Sequence, residues 1–171
     1  MQKVLCTTLL AAGFASGDVI EIAVDGVADT SYGDFYGSLY IDTVSGALTG
    51  DITLPAVQTP SGAYPGTVSF DGLYDGIGTS GETSQGSVTG EQYVGDAVMT
   101  FPFLGGFGLD FDVVFGNGLG LGDSGLGVTY LSGSSPFGPL EATLSFNYSV
   151  VPAPGAIALL GLVGLGRRRR S

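Results

Sequence analysis

Asp110, Asp112 and Asp123 are the residues whose type and spacing come closest to a binding chemistry. Positions two apart on a strand share one face, so Asp110 and Asp112 would project together. Asp123 follows in a glycine-rich stretch beside Asn117. Oxygen ligands of this kind suit a hard cation, which makes calcium the candidate cofactor and these three aspartates its candidate ligands. The run from Gly105 to Asp110 also resembles one copy of the calcium-binding glycine–aspartate nonapeptide, although Asp112 falls on its apolar position. That repeat works by stacking, and a single copy has no neighbour to stack on. A solvated acidic face is the alternative reading.

The composition narrows every other chemistry. All 16 acids lie between Asp18 and Glu141, while the five bases are Lys3 and the run Arg167, Arg168, Arg169 and Arg170. The interior therefore has a formal charge of −16, with no Lys, Arg or His. Nucleic-acid binding by phosphate neutralisation needs clustered bases and is excluded for this segment. Catalysis would have to rely on carboxylates, hydroxyls and amides. A glycoside hydrolase needs only two carboxylates, but a sugar-cutting cleft normally adds aromatic platforms, and the chain has no Trp. The expectation is a protein that is not an enzyme. Weak sugar binding through Tyr36, Tyr40, Tyr64, Tyr74 and Tyr93 is a further possibility, though tyrosine is also an ordinary strand residue. Asn147, Tyr148 and Ser149 form a glycosylation sequon in which alternation alone gives Asn147 an outward place.

These side chains must be positioned by strands. Apolar residues alternate with polar ones at Ile20, Ile22 and Val24, at Phe35, Leu39 and Ile41, and at Leu48, Ile52 and Leu54. The pattern returns from Leu109 to Phe115 and most cleanly from Ala142 to Val150. Shorter candidates lie at 68–71, 87–94, 97–103 and 128–131, giving nine strands and no amphipathic helix. Asp42 to Gly46 suits a hairpin with a type I turn and glycine in the left-handed position. Gly72–Gly86, with five glycines and few large apolar side chains, reads as a long exposed loop or two short irregular edges, and Gly116–Gly127 is similar. Short antiparallel strands with one polar face predict an all-β fold. Its expected form is an antiparallel two-sheet sandwich of jelly-roll or immunoglobulin-like type over residues 18–150. A solenoid would need a regular repeat, which is absent.

The two ends read as addresses. Lys3 precedes an apolar stretch from Val4 to Ala15, followed by small residues up to Gly17. This is the shape of a secretory signal peptide over residues 1–17, too short to serve as a permanent span. Its removal would take away Cys6, the sole cysteine. At the other end Pro152, Ala153, Pro154 and Gly155 lead to an apolar run from Ala156 to Gly166 and then the four arginines. Eleven residues make a helix of about 16 Å, roughly half a hydrocarbon core. Arginines that stay on the cytoplasmic side would leave the acidic domain outside.

Val151, Pro152, Ala153, Pro154 and Gly155, the leucine- and glycine-rich run and Arg167 to Arg170 together resemble the PEP-CTERM sorting tail of bacterial exopolysaccharide-associated surface proteins. The resemblance covers residues 151–171. It implies recognition by an exosortase, a membrane transpeptidase that removes the tail and releases the protein or attaches it at the surface. Ala153 stands where the family usually has Glu. The implied partners are the secretion translocon, the exosortase and an exopolysaccharide, with no nucleic acid. The implied course is export, transient inner-membrane anchoring, and then the cell surface or extracellular matrix. A carbohydrate- or calcium-binding module on the surface is the alternative function.

Overall fold

The computed structural model describes residues 19–26, 34–59, 62–102, 104–135 and 138–151. The expected signal (1–17) and the tail from Pro152 onward, with Ala153, Pro154, Gly155 and Arg167 to Arg170, lie outside the described residues. Eight strands follow one another: β1 (Val19–Gly26), β2 (Tyr36–Asp42), β3 (Ala47–Thr59), β4 (Gly62–Thr79), β5 (Thr89–Phe101), β6 (Gly105–Phe115), β7 (Ser124–Ser135) and β8 (Gly138–Val151). Each pairs antiparallel with the next, and β1 also pairs with β8, from Glu21 opposite Val151 to Gly26 opposite Phe146. The result is a closed up-and-down barrel in strand order.

This corrects the two-sheet sandwich. A sandwich needs strands that leave one sheet for another, whereas here every strand is hydrogen-bonded to both neighbours and no edge remains open to another chain. The strand count also changes, because the expected pair at 87–94 and 97–103 is the single strand β5. Gly95 keeps the inward place between Tyr93 and Ala97, and a Cβ there would lie 2.3 Å from the Asp71 carbonyl oxygen. The supposed loop from Gly72 is strand as far as Thr79, with a bulge between Tyr74 and Gly76. The 42–46 turn forms as expected: the Gly46 amide donates to the Asp42 carbonyl at 2.8 Å, and Gly46 has φ 73°.

Alternation decides what faces inward. Ile22, Val24, Leu39, Ile52, Val68, Met99, Phe111, Leu131, Leu144 and Phe146 are buried in one core, while Asp25, Thr49, Asp71, Asp96 and Asn147 are exposed on the wall. Membrane-spanning barrels have an apolar outside and a polar inside; the alternation here is the reverse. Among the described residues no helix is long and apolar enough to cross a membrane.

Glycine in the strands makes room for rings. Phe146 lies opposite Gly127 in the register, and a Cβ on Gly127 would sit 2.3 Å from the Phe146 ring. The rings form a continuous series of edge-on contacts down the interior. Tyr74 meets Tyr93 at 5.4 Å between centroids, Tyr93 meets Phe115 at 6.0 Å, Phe115 meets Phe146 at 5.9 Å, and Phe146 meets Phe35 at 6.5 Å. Such T-shaped pairs add to the stabilisation from burial. The space left among Val24, Phe35, Phe146 and Thr129 is about 10 Å³. This part of the interior is therefore filled by side chains.

Candidate functional site

The strand directions put the start of β1, the ends of β2, β4, β6 and β8, and the 43–46, 80–88 and 116–123 connections at one end of the barrel. A cavity of about 320 Å³ opens there, lined by Ile20, Ile41, Thr43, Gly46, Tyr74, Glu91, Tyr93, Leu119 and Gly120. Its base is apolar, because Ile41, Tyr93 and Leu119 are the inward side chains that cover the core. Glu91 and Tyr93 are two apart on β5 and share the inward face, which brings the phenol of Tyr93 to donate to Glu91 at 3.3 Å. Burial, and after it the negative charge of Glu91, pushes the Tyr93 phenol well above its ordinary pKa of 10.0. Tyr93 is thus a neutral donor held on a carboxylate. Tyr74 stands half in water over it and forms the upper wall.

The roof over one side is the β6–β7 connection. The Tyr148 hydroxyl accepts from the Asn117 amide at 3.0 Å and donates to the Asn117 carbonyl at 2.8 Å. Asp123 closes the same loop on itself, its carboxylate accepting from the Gly120 amide at 2.8 Å. The loop is also zipped to the end of β8, with the Gly122 amide on the Val150 carbonyl and the Val150 amide on the Asp123 carbonyl. Leu119 is thereby held over the cavity as a buried side chain. No protein-family model, curated protein or solved structure matches the chain.

The candidate calcium ligands do not converge. Asp110 and Asp112 are on the outer face of β6 as expected, but Asp110 stands opposite Asp96. Asp112 accepts from the Gln92 side-chain amide at 2.8 Å through one oxygen, and its other oxygen is buried without a partner. Asp123 belongs to the mouth loop, where the Gly120 amide occupies it. Among the described residues no group of three or more acids could hold a metal ion. A second, outer groove of about 290 Å³ runs between Ser80 and the wall at Asp112, Val128 and Tyr130.

The tyrosines separate in the same way. Tyr36 and Tyr40 are exposed on the outer wall, Tyr64 packs half-buried against the core, Tyr93 is buried, and Tyr74 faces the cavity. Of the five, Tyr74 and Tyr93 come together. Glu91 was not among the sequence candidates. Its signal is an acid two residues before Tyr93, at the parity that continues through Gly95, Ala97, Met99 and Phe101. Val151, the first residue of the expected tail, is instead the last residue of β8 and pairs with Glu21.

What the mouth can do chemically follows from its lining. Glu91 is the one carboxylate that lines it, so the paired acids of a glycoside hydrolase are not found there among the described residues. The volume is at the small end of ligand sites. An apolar base, an aromatic wall and one carboxylate suit a small molecule with a flat apolar face and a hydroxyl or amine that donates to Glu91.

Proposed function

We propose that this chain is an exported, non-enzymatic protein of the cell surface or exopolysaccharide matrix, sorted by a C-terminal tail of PEP-CTERM type. One observation carries the reading: β1 and β8 close the barrel within residues 19–151 through Glu21, Val151, Gly26 and Phe146. Apart from Val151, the described pairing lies outside the two terminal addresses, so a cut beyond Val151 would leave the β1–β8 closure intact. The polar wall supports the same reading, since it lets the body leave the membrane once the tail is cut. The translocon and an exosortase are the partners this requires. Residues 152–155 would be the site read by the enzyme, and Arg167 to Arg170 the stop that holds the chain.

The test is expression in cells with and without an exosortase. With it, the protein should lose the tail and leave the membrane fraction; without it, the full chain should stay there. Replacing all four arginines by Ser should abolish retention, and Ala153→Glu should speed processing by restoring the residue usual in such tails. Identical maturation in both hosts would refute the proposal.

The cavity favours one further role in that setting, the binding of a small saccharide unit at the mouth. Tyr74 supplies the stacking face and Glu91 the acceptor. Titration of the tail-free barrel with neutral oligosaccharides should shift the amide signals of Tyr74, Glu91 and Gly120; shifts confined to the outer wall would place binding elsewhere.

A further inference from the structure

Three apolar side chains stand in water around the mouth. Val44 at the β2–β3 turn is 76% exposed, Ile77 near the end of β4 is 69% exposed, and Leu121 in the β6–β7 connection is 68% exposed. Each is tied to the cavity: Val44 follows Thr43 and Leu121 follows Gly120, both of which line it, and Ile77 pairs with the lining residue Glu91. Single exposed apolar residues need no explanation. Two of them on connections and the third near the end of β4 place apolar side chains at three points around one opening. At the opposite end, among the described residues, the turn residue Leu104 is 44% exposed and Tyr36, at the start of β2, is 58% exposed.

The chain termini lie on the same side. Val19 starts β1 at the mouth end, and Val151 ends β8 beside it. Four residues, Pro152 to Gly155, separate Val151 from the apolar run Ala156 to Gly166. Fully extended, four residues reach about 14 Å. Strand β8 has 14 residues, about 46 Å along its path, and the tilt of barrel strands leaves a height well above that reach. With the apolar run in a bilayer, the mouth end is therefore held within about 14 Å of the lipid surface, and the far end meets that surface only when the barrel lies on its side.

We infer that the mouth end is a lipid-contact face: while residues 156–166 anchor the chain, Val44, Ile77 and Leu121 rest in the bilayer interface and the cavity is closed against the membrane. Cutting the tail then frees the mouth. This inference rests on the anchored-tail reading. It commits to a zwitterionic surface, because Asp42, Asp75, Glu91 and Asp123 stand near the tips and no base lies between Asp18 and Glu141. An anionic surface would repel such a rim within a Debye length.

The experiment uses the full chain with Cys6→Ser, carrying one cysteine at a time (V44C, L121C or, as the far-end control, L104C) and an environment-sensitive fluorophore. The protein is reconstituted in phosphatidylcholine vesicles and recovered by flotation. Lipid-borne spin labels should quench the probes at 44 and 121 at least about twofold more than the probe at 104, as expected for side chains seated in the interface. Adding phosphatidylglycerol should lower that difference. Flotation with equal quenching at all three positions would overturn the inference and leave the anchored tail standing. Failure to float would overturn both.

Discussion

The Tyr148 hydroxyl is hydrogen-bonded to both backbone groups of Asn117, accepting from the amide at 3.0 Å and donating to the carbonyl at 2.8 Å. A buried side chain of β8 thus ties down the start of the connection that carries Leu119 and Gly120 to the cavity, while backbone bonds of Gly122 and Asp123 to Val150 hold its end. Burial leads the causes that hold the Tyr148 phenol above its ordinary pKa, so it stays neutral and able to donate. Tyr148→Phe should keep the fold and lower stability by about 1–3 kcal/mol, the range for leaving such groups without partners. Amide exchange at Asn117 should accelerate more than exchange in β3. Unchanged exchange at Asn117 would show that the loop is held by other means.

Gly127 exists for Phe146. The Phe146 ring atoms are the nearest neighbours of an added Cβ, the closest at 2.3 Å. Gly127→Ala should cost about 1–3 kcal/mol by overpacking. In a Phe146→Leu background the same change should cost well under half as much, a coupling that a double-mutant cycle of denaturation curves measures. Equal costs in both backgrounds would mean that the backbone of β7, not the ring, demands the glycine.

The outer wall is under electrostatic load. Asp71, Asp96 and Asp110 occupy one register row on β4, β5 and β6 and are all exposed. Like charges directly opposite destabilise a sheet, and pair effects are about 0.2–1 kcal/mol. Asp96→Asn, at the centre of the row, should therefore raise the Tm. Sodium chloride should raise the wild-type Tm by screening, and by less in this variant. A Tm that falls with salt would contradict it.

Asp42 gives the 43–46 turn a pH dependence. Its carboxylate accepts from the Val44 amide at 2.9 Å and the Ser45 amide at 3.2 Å. The Val44 amide first, then the Ser45 hydroxyl and amide, hold it below the ordinary value of 3.8. A carboxyl whose native pKa is lowered stabilises above the unfolded value, and the contribution disappears as pH falls through the native one. Asp42→Ala should therefore melt below the wild type at neutral pH, and the two Tm values should converge once the pH lies below the native pKa. A gap that persists in acid would assign the effect to something other than ionisation.

Much of the strand pattern was legible because period-two alternation is local. Phe35, Leu39 and Ile41 face inward as their spacing requires, and so do Ala142 to Val150 at every second place. Closure was not legible. A sandwich and a barrel impose the same alternation, and they differ in whether Glu21 meets Val151, a pairing that leaves no mark in either strand's pattern. Glycine misled twice for one reason. Gly72 and Gly95 looked like breaks, yet both are inward positions where neighbouring groups come too close for a Cβ, Phe111 at Gly72 and the Asp71 carbonyl at Gly95. Of the site, Tyr74 and Tyr93 could be named, but the cavity joins β1, β2, β4, β5 and the β6–β7 loop, and those meet only once the barrel is closed. The aspartates chosen for calcium share a face in part, but the third belongs to a loop whose fold uses it for the Gly120 amide.

The most direct measurement is the intact mass of the native protein, taken together with the fraction in which it is found. Export and tail processing require a species that starts near Asp18, ends near Val151 and occurs in the medium or the envelope outside the cytoplasmic membrane. A full-length chain ending in Arg170 and Ser171, retained in the cytoplasmic membrane, would contradict it.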